Sequence, residues 1–308
     1  MNGKKVNWFF LTTILLHVLI VVLLVVFRYV VTLGIIANFI LGSAIILVPA
    51  LLFLAVSGES WKEAIGFHRI KWSTAFMIIL FTFLTMPVAT FINAFSMLFV
   101  ENAVMEISGQ VLELPFIISF FFMAVSAPIY EEVVFRGIVY RGYRRSGTLF
   151  QAAVFSALVF ALGHLNFNQA AYTFAVGIIL VLLVEATGSI WASIIYHVVF
   201  NGYSVCIMYL AENLFPEMTE TEMLTEQMYR ESVIYSMALS LVAAAIASAI
   251  AVCVLIWIAK NENRAQRLLQ IWKTRHDKKE KIVTIPFLIA LVLCVVYMAV
   301  DVILYKMM

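Results

Sequence analysis

The sequence predicts an all-α fold: a polytopic transmembrane helix bundle of about eight or nine spans, with its N-terminus cytoplasmic. Three observations carry this. Of the 308 residues, 64% are hydrophobic and only 12% charged, against about 45–50% and about 25% in soluble domains. Apolar runs close to the roughly 20 residues needed to cross a bilayer recur along the whole chain. The connections between them alternate in charge, whereas the net charge of +2 says little by itself. The chain reads as one integral membrane domain over residues 1–308, with no internal repeat and no soluble domain.

The runs fall at 8–27, 33–56, 73–100, 115–135, 149–165, 170–184, 190–210, 233–259 and 282–304. Lys4 and Lys5 precede the first, which continues without a small-residue cleavage site and so reads as a span and not a cleaved leader. The second ends in Lys62, Arg69 and Lys71. The third is long and contains Pro87, where a kink is expected. It leads into Glu101, Glu106 and Glu113. Arg141, Arg144 and Arg145 follow the fourth. The sixth is short, and the turn "EATGS" after it carries no basic residue. Six Glu lie between Glu212 and Glu231 after the seventh, and eight Lys/Arg between Lys260 and Lys281 after the eighth. Apart from the turn after the sixth, even-numbered spans thus end in basic loops, which puts the N-terminus in the cytoplasm. Within the last basic loop, "AQRLLQIWKTRH" sets Leu268, Ile271 and Trp272 on one helical face. It predicts an interfacial helix beside anionic lipid. Membrane lipids are therefore expected partners and nucleic acid is not; the sequence carries no signal for oligomeric state. Cys206, Cys253 and Cys294 lie in apolar runs without CxxC or Cys/His spacing, so neither a disulfide framework nor a zinc finger is indicated.

The fourth span contains "APIYEEVVFRG", with Glu131, Glu132 and Arg136. Each charge at the centre of a bilayer helix costs roughly 2.5–3.5 kcal/mol on insertion scales. Glu132 and Arg136 are four apart with the Glu first, the favoured order for an ion pair. That pair alone is explained by locking a neighbouring helix. Glu131 is turned about 100° from Glu132 and needs another reason. Two adjacent carboxylates with one Arg leave a net negative charge in a low-dielectric place, and intramembrane ionisable residues are functional by default. "FALGH" places Phe160 and His164 on one helical face, and "HVVFN" does the same with His197 and Asn201. Either His alone reads as an interhelical hydrogen bonder, as His17 does. His68 and His276 read as solvated, and Glu185 and Asp301 as interfacial at span ends. Glu131 lies ten residues from Arg141, about 15 Å, and His197 nine from Gly188, about 13 Å. His164 is 17 residues from Gly147, about 25 Å, so the three depths agree only if span five begins beyond Arg144 and Arg145.

"EEVVFR", "FALGH" and "HVVFN" match EExxxR, FxxxH and HxxxN motifs, in that order and on three spans. In this the chain resembles the CAAX prenyl endopeptidase and bacteriocin-processing family of intramembrane glutamate proteases, also called the abortive-infection family, over a core of about 116–210. The resemblance implies a multi-pass protein of the cell membrane that hydrolyses a peptide bond of a peptide or protein substrate, lipidated or not. It implies a cavity opening to the cytoplasmic half. Glu131 and His164 would activate water, and His197 and Asn201 would steady the oxyanion, with Glu132, Arg136 and Phe160 in support and no cofactor. The chemistry stands by itself, since a carboxylate can hold water as a base and N–H donors can stabilise the tetrahedral intermediate. Other intramembrane protease designs lack their residues: there is no HExxH, GxSG or GxGD, and of the two Asp, Asp277 is in a loop. Three alternatives stand beside this reading. Glu131, His164 and His197 could together hold Zn²⁺. The polar cluster could serve a non-catalytic scaffold or regulator, or a transporter with a midplane site.

Overall fold

The structure, a computed structural model, describes residues 1–30, 32–58, 65–214, 226–277 and 281–307. Lys62 and parts of the acidic and basic loops, 215–225 and 278–280, lie outside them. The described regular structure is entirely helical. It comprises α1 (Gly3–Val26), α2 (Ile35–Ser57), α3 (Trp72–Met97), α4 (Ala103–Leu112), α5 (Phe116–Ser146), α6 (Leu149–Gly163), α7 (Phe167–Thr187), α8 (Ile190–Leu214), α9 (Glu226–Asn261), α10 (Ala265–Lys273) and α11 (Ile285–Met307). Eight of these are long and apolar enough to cross a membrane. The ninth expected span, α6, has 15 residues. The sixth, expected to be short, has 21. The architecture is that of a multi-pass membrane protein. Large apolar side chains such as Phe76, Leu239 and Ile246 stay exposed on the outer surface of the bundle, as a lipid environment requires.

The helix boundaries follow from short polar signals. Asn2 accepts from the Lys5 N–H at 3.1 Å and caps α1. Thr148 and Gln151 form a capping box at the start of α6. Asn166 accepts from the Gln169 N–H at 3.1 Å and starts α7. Gly188, at φ +79°, ends α7 in the left-handed conformation that glycine adopts without penalty. α3 runs through Pro87 as one element.

α5 departs from simple helical geometry. Its segments Phe120–Ser126 and Val133–Tyr140 are π-helical, flanking six α-helical residues, Ala127–Glu132. Widened turns of this kind are rare and gather at functional sites. Pro128 supplies a reason for the first one. It offers no N–H to the preceding turn, and the Ala127 N–H reaches back five residues to the Phe122 carbonyl.

Two polar clusters brace the end of the bundle that carries the basic loops. Asn7 on α1 donates to the Ile282 carbonyl at 2.7 Å and accepts from the Tyr143 hydroxyl at 2.6 Å, joining α1, α5 and the approach to α11. Glu185 was expected at the interface, but it is fully buried. It accepts from the Tyr140 hydroxyl at 2.9 Å and pairs with Arg144 at 3.1 Å. At a span end a carboxylate either reaches for the headgroups or turns inward; here Tyr140 and Arg144 give it an inward partner. α10 lies against the bundle as expected of an interfacial helix: Leu268 packs on the core, and Trp272 meets Phe150 edge-on at 6.1 Å. His68 and His276 are exposed as expected, and His17 sets its ring against Tyr297 at 5.9 Å.

Candidate active site

The site is built where α5, α6, α7 and α8 meet. Glu132 is fully buried. Its Oε1 accepts from Arg136 Nη1 at 2.8 Å, so the expected ion pair forms. The same oxygen lies 2.9 Å from His197 Nδ1. Arg136, also buried, places its guanidinium 4.2 Å from the centre of the Phe160 ring and donates to the Gly177 carbonyl at 3.4 Å. A cation over an aromatic face in a desolvated place is held by about 2 kcal/mol. Gly177 is required for a second reason: a Cβ there would stand 2.9 Å from the Ala157 Cβ, so its absence lets α6 and α7 approach closely.

Phe160 is the hub. Its ring meets His164 edge-on at 4.9 Å, His197 at 5.8 Å and Phe135 at 5.0 Å, while Arg136 covers its face. One aromatic side chain thereby fixes both imidazoles. The ring nitrogens follow from their partners. His164 Nδ1 lies 2.9 Å from the Phe160 carbonyl, which can only accept, so that nitrogen carries the proton and Nε2 is the free one. His197 Nδ1 faces the Glu132 carboxylate, and its Nε2 lies 3.8 Å from Glu131 Oε2. His164 closes α6 and is followed by Leu165 at φ +52°. A buried Leu occupies the left-handed position where glycine is usual, and strained backbone of this kind gathers at functional sites.

Asn201 sits one turn beyond His197 on α8 and donates from Nδ2 to the Met123 carbonyl at 3.0 Å. The widened turn explains why that carbonyl is free. Its α-helical partner, the Ala127 N–H, is taken by Phe122, and its partner five residues on is Pro128, which has no N–H.

Glu131, Phe160, His164, His197 and Asn201 all line one cavity of about 210 Å³. That is space for a peptide bond and water, at about 30 Å³ per water. Glu132 and Arg136 lie behind it. The depth of His164 is accounted for by α5 running on through Arg141–Ser146. Counted from Gly147, Glu131 is 16 residues before the turn and His164 is 17 after it, so the two arms of the hairpin bring them level.

Sequence reasoning did not single out Met123, Ala127, Gln169, Tyr172, Ser204 or Met208, which also line the cavity. Nor did it give the direction of the opening. Along α8, Ile190, Ser193, Tyr196 and His197 are buried, Asn201 is half-buried and Ser204 is exposed. On α5 the lining runs from Glu131 back through Ala127 to Met123. Both sequences of residues lead away from the basic loops, and the cavity thus runs the same way. A second cavity of about 220 Å³, lined by Asn93, Asn102 and Tyr203, shares Tyr172, Phe200 and Ser204 with the first.

Among the described residues no three His, Cys, Asp or Glu side chains are grouped so as to hold an ion.

Residues 113–203 match the family described as Type II CAAX prenyl endopeptidase Rce1-like. The matched stretch contains all three motifs. No curated protein and no solved structure matches the chain.

Proposed function

We propose that the protein is an endopeptidase of the cell membrane that hydrolyses a peptide bond inside its helix bundle with water activated by Glu131 and His164, without a cofactor. One observation carries the reading: a carboxylate, two imidazoles and an amide from three helices line a single cavity within an otherwise apolar bundle. Polar groups are too costly in hydrocarbon to gather without use or partner. The family match over 113–203 supports the same chemistry.

The steps follow from the groups present. Water held between Glu131 and His164 Nε2 gives up a proton to them, and its oxygen attacks the carbonyl carbon. Charge then develops on the carbonyl oxygen. His197 can donate to it from Nε2 when that nitrogen carries a proton, with Glu132 behind Nδ1 as the counter-charge. Asn201 has two amide donors, of which Met123 takes one. The proton held by Glu131 and His164 passes to the leaving nitrogen as the C–N bond breaks, giving a carboxylate and an amine. Donors already fixed in a dry site need no reorganisation at the moment of reaction.

The test is a cleavage assay on purified Glu131→Gln protein. The variant keeps its shape, because an amide is cheaper to bury than a carboxylate. Loss of a general base lowers the rate by about 10²–10⁴-fold. Cleavage retained in the folded variant removes Glu131 from the mechanism. Chelation should leave the wild type active; inhibition reversed by Zn²⁺ would instead assign Glu131, His164 and His197 to a metal.

A further inference from the structure

We propose that the cavity takes its substrate from the non-cytoplasmic side of the membrane, and that this substrate is a cationic peptide. The proposal rests on the peptidase reading only in calling the incoming molecule a substrate.

The direction comes from burial. From Glu131 towards the basic loops, α5 presents Val134, Phe135, Ile138, Tyr140 and Tyr143, all buried. The Tyr140–Glu185–Arg144 cluster closes that end. Towards the other face the cavity passes Asn201 and reaches Ser204, which is exposed and shared with the second cavity. The loops at the closed end hold the Lys and Arg residues, and such loops stay in the cytoplasm. The mouth therefore faces outward.

The charge comes from what surrounds that mouth. The described residues of two stretches on the mouth side, 98–114 and the described parts of 211–232, contain Glu101, Glu106, Glu113, Glu212, Glu226 and Glu231 against a single Arg, Arg230. Three of these Glu are tied to the mouth by the structure. Glu212 follows Met208, a lining residue, by one helical turn on the same face of α8. Glu101 adjoins Asn102, which lines the second cavity. Glu113 is exposed next to Leu114, whose carbonyl accepts from the Tyr209 hydroxyl at 2.8 Å, so the acidic segment after α4 is fastened to α8 beside the opening. A mouth lined by one sign of charge with low-dielectric walls raises the local concentration of the opposite charge and speeds its capture by 10–10³-fold, roughly. Lys- or Arg-bearing peptides are the molecules this field collects.

The test uses the full chain in intact cells, with the exposed Cys206 and Cys253 replaced by Ala and the buried Cys294 kept. Single Cys are introduced by Ser204→Cys at the mouth, Glu231→Cys on the acidic face and Lys273→Cys on the basic face. A membrane-impermeant maleimide should modify the first two in intact cells and the third only after permeabilisation. Labelling of Ser204→Cys only from the side that exposes Lys273→Cys, or from neither side, overturns the proposed access. A lysine–serine peptide added outside should slow labelling of Ser204→Cys by about tenfold at low salt, and less as salt screens the field. Equal protection by a glutamate–serine peptide of the same length, or protection by neither, overturns the charge preference. None of these readings uses cleavage, and the folded Glu131→Gln variant should label in the same way. A failed protease assay and a failed access assay are thus separate results.

Discussion

Asn201 on α8 donates its side-chain amide to the backbone carbonyl of Met123 on α5, at 3.0 Å. The bond exists because Pro128 leaves that carbonyl without a helical partner. A proline therefore orients an amide on another helix. Pro128→Ala restores an N–H that can bond Met123 and compete with Asn201. We expect kcat to fall about tenfold with KM little changed, less than the 10²–10³ for removing a whole oxyanion donor, as in Asn201→Ala. Steady-state kinetics on the two variants checks this; an unchanged kcat in folded Pro128→Ala would separate the proline from the site.

Glu132 serves two partners, and the two can be pulled apart. Glu132→Leu leaves Arg136 buried without a counter-charge, at a cost of about 3–5 kcal/mol. Adding Arg136→Met removes the orphaned charge and should recover most of the melting temperature, since apolar replacement of a buried pair is often neutral. Cleavage should not return, because His197 Nδ1 still lacks its carboxylate. A double variant regaining both would make the pair purely structural.

Gly177 separates packing from chemistry. Gly177→Ala puts a Cβ 2.9 Å from the Ala157 Cβ. Overpacking of this kind costs about 1–3 kcal/mol. It should also weaken the Arg136 bond to the Gly177 carbonyl as α7 shifts. Ala157→Gly in the same chain should restore thermal stability. If the second change gives no relief, the close approach of α6 and α7 is not the cause.

Glu185 lies away from the cavity and should matter only for stability. Glu185→Ala leaves the Tyr140 hydroxyl and part of Arg144 without a partner, at about 1–3 kcal/mol. The melting temperature should drop while activity per folded molecule stays within about twofold of wild type. Thermal unfolding in detergent and a titrated active fraction measure the two quantities separately. A selective loss of turnover would draw Glu185 into the reaction.

The sequence was informative wherever hydropathy and charge speak alone. Nine apolar runs became the helices of the bundle, because no other arrangement satisfies backbone groups in lipid. The Glu132–Arg136 pair was legible because four residues make one turn. The two π-helical stretches of α5 were not, since they differ from α-helix only in which carbonyl each N–H reaches. Met123 was invisible for the same reason: it contributes a backbone oxygen, and only Pro128 hints that this oxygen is free. Glu185 was misjudged because a carboxylate near a span end has the same sequence surroundings whether it faces headgroups or turns inward to Tyr140. The direction of the opening depends on which residues of α8 are covered by neighbours, and that is a property of packing.

The six α-helical residues that carry Glu131 and Glu132 sit between two widened stretches of one continuous helix. Their angular position is therefore set by residue count and not by composition. Losing one residue from Phe120–Ser126 would leave the span as apolar as before and still able to cross the membrane. It would nonetheless close the widened stretch towards α-helical geometry and displace the Met123 carbonyl from Asn201. In this segment length is itself a functional trait, so a one-residue indel is a more severe lesion than many substitutions.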